Sequence, residues 1–229
     1  MSKKKKNSNY ATEKNAQKAI EKQQLDRQKK RRKTLKTVLI CVLCVLLAAG
    51  AILGIGAAFG MFDYYPEATA HAAITIEYEG EEYTLHMELY GEDAPLSVAH
   101  FKKLVEDDYY VDKAVYCLLN DQLCFGPQTV NEYYGTVDGE FSLNGKENKV
   151  SHKRGTVSMM RGDDYNSARG NFFILTENHK ELDGSYAAFG SVTDGMDTLD
   201  AILKDIRVDE NGYITNPPII TEISLHEAH

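Results

Sequence analysis

Lysine and arginine are thinly spread where this chain is longest. Of its 26 Lys+Arg, 14 fall in residues 1–36 and only 12 in residues 63–229, which hold 31 of the 34 Asp+Glu. A surface this acidic cannot neutralise a run of phosphates, which argues against nucleic acid as the partner of the longer part. Residues 37–62 carry no charged residue at all. Residues 1–36 hold almost no large apolar side chains, so that segment buries no core. The seven histidines, at 71, 86, 100, 152, 179, 226 and 229, lack the spacing of metal ligands, and no zinc motif, phosphate loop or Ser–His–Asp pattern is present. No metal and no cofactor are expected. Cysteine is limited to four residues. Cys41 and Cys44 fall in the apolar run, without the polar access a redox pair needs. No cysteine follows Leu47-Ala48-Ala49-Gly50, which argues against a lipidated N-terminus.

What is present divides the chain into four parts. Residues 1–36 read as a basic cytoplasmic tail, 37–62 as a transmembrane helix, 63–71 as a linker and 72–229 as an extracytoplasmic domain. The 26 uncharged positions span about 39 Å at helical rise, more than the hydrocarbon core. Lys29, Lys30, Arg31, Arg32, Lys33 and Lys36 place the preceding end in the cytoplasm, and Phe62, Tyr64 and Tyr65 suit the opposite interface. The run is longer than the apolar part of a signal peptide, so it reads as a retained anchor. The expected location is the cell membrane, crossed once, with the C-terminal domain outside the cytoplasm.

The domain is organised around residues 155–175, GTVSMMRGDDYNSARGNFFIL. Both ends alternate like strands of a half-buried sheet, and a polar loop of residues 161–170 lies between them. Neighbouring Phe172 and Phe173 must point to opposite faces of their strand. Residues 73–78 and 83–89 alternate around a turn at 79–82. Pro95 opens a helix with Val98, Phe101, Leu104 and Val105 on one face, and Asp93 is placed to cap it. Residues 115–119 and 123–125 flank a turn at 120–122. Further strands cover 187–192 and 219–225, with a helix over 195–204. Many short strands and two helices predict a mainly β fold, a closed barrel with helices at its ends.

In this order the elements resemble the cyclophilin family of peptidyl-prolyl cis-trans isomerases. The carriers are residues 152–161 (HKRGTVSMMR), Asn166-Ser167-Ala168, Phe172-Phe173-Ile174, Leu182-Asp183-Gly184, Phe189-Gly190, Gly195-Met196-Asp197, and Glu92-Asp93-Ala94-Pro95 with Phe101. The resemblance covers residues 73–224 and implies an eight-stranded antiparallel barrel capped by two α-helices, with a proline-binding groove on its outer face. Phe173 would form the aromatic wall of the proline pocket, with Met160 and Leu182 beside it. Leu123 and Cys124 fall where the family has Phe and Met, Asn171 where it has Gln, and Tyr186 where many members have His. Met160, Arg161 and Gly162 would offer backbone groups to the peptide. Matching the family's hairpin, Cys117 and Cys124 would point to opposite faces and stay free thiols.

One departure bears on activity. The family's Phe-His-Arg is here Tyr116-Cys117-Leu118, so the catalytic arginine's position is held by Leu118. The resemblance therefore implies an isomerase of reduced activity that assists extracytoplasmic proteins, or alternatively a degenerate module that binds proline-containing polypeptides without turnover. By the same alignment, Leu118→Arg would raise turnover. A monomeric ectodomain is expected.

Overall fold

The computed structural model describes residues 66–129 and 134–227. The tail, the apolar run at 37–62 and the first three residues of the linker, 63–65, lie outside the described residues. Eight strands close a barrel: β1 Ala70–Tyr78, β2 Glu81–Leu89, β3 Lys113–Leu119, β4 Gln122–Phe125, β5 Thr156–Met159, β6 Phe172–Leu175, β7 Ala188–Asp194 and β8 Ile219–Glu227. They are hydrogen-bonded in the order β1-β2-β7-β5-β6-β4-β3-β8, each pair antiparallel. Two helices, α1 Pro95–Glu106 and α2 Met196–Leu203, pack against it. The expected barrel with two helices is what forms.

Period-two patterning makes the wall. Along β1 every other residue is buried, and Ile74 and Ile76 meet Leu85 and Met87 of β2 inside. Phe172 of β6 is the centre of the interior. It stacks on Phe125 of β4 at 5.0 Å and meets Phe101 of α1 and Tyr110 edge-on. Such ring pairs add about 0.5–1.5 kcal/mol each beyond their buried area. Two tight turns set the registers. Glu79-Gly80 and Asn120-Asp121 each link paired strands with both residues at positive φ (54° and 86°; 49° and 59°), the two-residue turn that suits strand twist.

The register of β3 is shifted by a bulge between Val115 and Cys117. One extra residue is absorbed there, so Tyr116 and Cys117 both lie outside with Cys124, while Leu118 and Leu123 pack against the interior cluster. Cys117 and Cys124 become direct cross-strand partners with Cα atoms 5.1 Å apart, and they form a disulfide. This overturns the expectation of free thiols on opposite faces. Residues paired across a ladder share a face, and the two-residue turn makes these two a pair.

The start of α1 is capped from a distance. Asp93 does not cap it; its carboxylate accepts from the Lys149 N–H instead. Buried Glu140 accepts from the N–H groups of Leu96 and Ser97 at 2.9 and 2.8 Å and from the Ser97 hydroxyl at 2.7 Å. A carboxylate at a helix N-terminus satisfies free donors and faces the positive end of the helix dipole. Glu140→Gln is expected to cost about 2–3 kcal/mol, with faster amide exchange at Leu96 and Ser97. A denaturation midpoint equal to wild type would contradict this role.

Candidate active-site groove

Where β5 runs into the loop at 161–170 and the chain returns in β6, a cavity of about 300 Å³ opens, lined by Met160, Arg161, Gly162, Ser167, Arg169 and Asn171. The loop is held in place by short hydrogen bonds. Ser167 Oγ accepts from Gly162 N–H and donates to Asp164 O, the Tyr110 hydroxyl donates to Gly170 O at 2.6 Å, and the His100 ring contacts the Arg169 carbonyl. Gly126, at φ 116°, lets the chain pass over Asn171; a Cβ there would lie 2.7 Å from Asn171 Oδ1. Asn171 Nδ2 donates to Pro127 O and to the Tyr116 hydroxyl, at 2.9 and 3.1 Å. The hydroxyl in turn donates to the Met160 thioether sulfur at 3.2 Å. Asn171 Oδ1 is buried and has no hydrogen-bond partner among the described residues. Burial pushes the Tyr116 phenol up from its ordinary pKa, so it stays a proton donor.

Behind the cavity, the outer face of the sheet carries the row Cys124, Phe173 and Ser158, paired across β4, β6 and β5. Phe173 is completely covered and meets the Tyr186 ring edge-on at 5.6 Å. Arg161 lies over Tyr186 at 4.6 Å and also contacts the Tyr165 and Phe141 rings. Its guanidinium donates twice to Ser185 O and once to Gly162 O. Arg161 thus clamps the Tyr186 segment onto the aromatic layer.

The structure assembles a Ser–His–Asp chain that the sequence spacing does not disclose. Asp183 accepts from His152 Nδ1 at 3.0 Å and from His152 N–H at 2.7 Å, and His152 Nε2 lies 2.9 Å from Ser158 Oγ. Both Ser158 and His152 are buried and neither lines a described cavity. Closed off from solvent, the chain fixes the floor beneath Phe173. Burial holds His152 below its ordinary pKa despite the adjacent Asp183.

Residues 73–225 match the model of the cyclophilin type peptidyl-prolyl cis-trans isomerase family. The chain belongs to this family. It is 36% identical over 149 residues to peptidyl-prolyl cis-trans isomerase 10 of Caenorhabditis elegans, covering 62% of this chain and 89% of that one. It is 32% identical over 152 residues to the protein named "Probable peptidyl-prolyl cis-trans isomerase" of Brucella suis, covering 61% and 76%. A cyclophilin-type isomerase of Cryptosporidium parvum, crystallised in the presence of the dipeptide Ala-Pro, shares the fold with a TM-score of 0.59 at 23% identity, over 69% of this chain and 99% of that one. The cyclophilin domain is a peptidyl-prolyl cis-trans isomerase.

Of the residues the resemblance singled out, Met160, Arg161, Gly162 and Asn171 come together around the cavity. Phe173 lies on the outer face as expected for a groove residue, but beneath Tyr186 and not open to solvent. Leu182 is half-buried in a short 3-10 turn before Tyr186. Leu123 packs inside, and Cys124 is held in the disulfide. Leu118 turns inward too, because the bulge reverses its face. The N–H groups of Met160 and Gly162 already bond to Asn171 O and Ser167 Oγ. Sequence reasoning missed Tyr116 and Arg169. Tyr116 sits two residues before Leu118 in the same motif, but only the bulge removes Leu118 from its face and leaves the phenol there without it, and Arg169 belongs to none of the motifs.

Two expectations follow. Leu118→Arg places a cation against the apolar interior, so it is expected to lower stability by about 2 kcal/mol or more rather than raise turnover; a stable, faster variant would contradict the inward placement. For His152, a folded-state pKa below the unfolded value of about 6.5 means the unfolded chain takes up the proton first as pH falls. Its stabilising contribution is full above about pH 6.5 and is lost below it. His100, also lowered by burial, acts in the same direction, whereas His179, raised by Glu181 and Asp121, opposes it. His152→Asn should flatten the loss of stability between about pH 6.5 and 5; an unchanged slope would contradict the assignment.

Proposed function

We propose that this cyclophilin is a slow prolyl isomerase, tethered by residues 37–62, that acts on proline-containing polypeptides outside the cytoplasm as a monomeric domain. Rotation about a peptide bond must overcome about 18–20 kcal/mol of lost resonance. No covalent step is needed, only tighter binding of the twisted amide than of either planar form. Twisting returns a lone pair to the proline nitrogen, and a fixed donor aimed there stabilises the barrier state. The observation that carries the reading is the outward face of β3, which presents a phenol next to Met160 and Asn171 and no guanidinium. The Tyr116 proton rests on a thioether, a weak acceptor, and is the donor most readily redirected to substrate. A neutral donor makes a hydrogen bond about half as strong as a charged one, so this site is expected to turn over slowly.

The Cys117–Cys124 disulfide supports the extracytoplasmic assignment, since such bonds persist in oxidising compartments. The uncharged length of residues 37–62 and their basic flank support the anchor. Protease added to intact cells should remove the domain and leave residues 1–36 protected; a fully protected domain would contradict the topology.

For the chemistry, the full-length chain in detergent should accelerate isomerisation of a prolyl peptide above background, measured by exchange between its cis and trans signals. Tyr116→Phe should lower the rate constant about ten-fold or more with peptide affinity retained. Measurable binding with no acceleration by the wild type would favour the alternative, a proline-peptide binding module.

A further inference from the structure

Two arginines line the cavity beside the groove, and neither meets a carboxylate among the described residues. Among the described residues Arg161 donates only to the carbonyls of Ser185 and Gly162 and faces aromatic rings, so its positive charge is fixed but not neutralised there. Arg169 lines the same cavity, and its guanidinium makes no hydrogen bond or ion pair among the described residues. The nearby acids do not compensate. Asp163 and Asp164 are exposed, and Asp164 Oδ1 accepts from the Asn166 N–H of its own turn. Arg154 shows the contrast, paired with Asp200 at 2.8 Å. All this occurs in a region that carries 12 Lys+Arg against 31 Asp+Glu. The general field of the domain repels acidic chains, while this one concavity attracts them.

We propose that the cavity is a subsite for an acidic side chain of the substrate, a Glu or Asp within a few residues of the proline. Arg169, the guanidinium with no partner among the described residues, is the specificity-determining residue, and Arg161 adds a fixed background charge. A planar guanidinium can grip a carboxylate through two parallel hydrogen bonds. Ser167 and Asn171 complete the lining. The cavity of about 300 Å³ opens beside the Tyr116–Met160–Asn171 group, so a chain with its proline at the groove can reach it. The inference rests on the isomerase reading for the identity of the chain that enters, while the charge preference is a property of the cavity itself.

The test uses the full-length chain and a set of proline peptides bearing Glu, Ala or Lys at each of the two positions before proline and the one after. Both the isomerisation rate constant and the peptide dissociation constant are measured. At one position wild type is expected to prefer Glu to Lys by about ten-fold, mainly in affinity, and raising the salt to about 0.5 M should shrink the preference. Arg169→Glu should invert it in favour of Lys, an outcome that a merely structural arginine would not produce. Equal handling of Glu and Lys at all three positions by wild type would overturn the proposal, as would an Arg169→Glu variant that keeps the preference. If no peptide is turned over, the isomerase reading fails, but the ratio of dissociation constants still decides the charge preference.

Discussion

The groove depends on a backbone register. Side chains along a strand alternate with period two, so one extra residue in β3 exchanges the faces of everything beyond it. The bulge at Tyr116 leaves Val115 in the interior, sets Tyr116 and Cys117 together outside, and sends Leu118 inward. The disulfide follows from it, because Cys117 then faces Cys124 across the two-residue Asn120-Asp121 turn. Leu118 leaves the outer face for the same reason: without the extra residue, alternation from Val115 would turn Cys117 inward and set Leu118 outside beside Tyr116.

The outer layer built on that register is held by polar groups drawn from distant parts of the chain. Ser158, His152 and Asp183 form a buried chain under Phe173, and Arg161 ties the Tyr186 segment down from above. Glu140 locks the start of α1, whose Phe101 meets Phe172 on the inside of the same strand. The neighbouring rings of β6 therefore serve two layers. Phe172 belongs to the core and Phe173 to the groove side, each fixed by its own set of partners. A mutation in either layer reaches the other through one strand of four residues.

The barrel was legible because its cues are local. Alternation in β1 and β2, the Pro95 start of α1, and Gly-containing turns each state their own structure, and the opposed directions of Phe172 and Phe173 follow from the strand alone. The groove was less legible because its cues are relational. Nothing in Tyr116-Cys117-Leu118 announces a bulge; it emerges only when β3 must pair with β4 on one side and β8 on the other. Glu140 lies 43 residues from Ser97, and Asp183 lies 31 from His152, so neither partnership leaves a spacing to read. Arg169 sits in an irregular loop, where a charge reads as ordinary solvation until the cavity beside it is seen.

In the proposed mechanism a neutral hydroxyl replaces a charged donor, aided by a cavity that recognises the flanking chain. All of this needs Tyr116 toward the substrate and Leu118 away from it. The direct measurement is a set of nuclear Overhauser contacts between a bound prolyl peptide and a chain labelled at its leucine and methionine methyls and its tyrosine rings. Contacts from the peptide to the Tyr116 ring and the Met160 methyl, with none to the Leu118 methyls, are the expected result. Strong contacts to Leu118 with a silent Tyr116 would contradict the account.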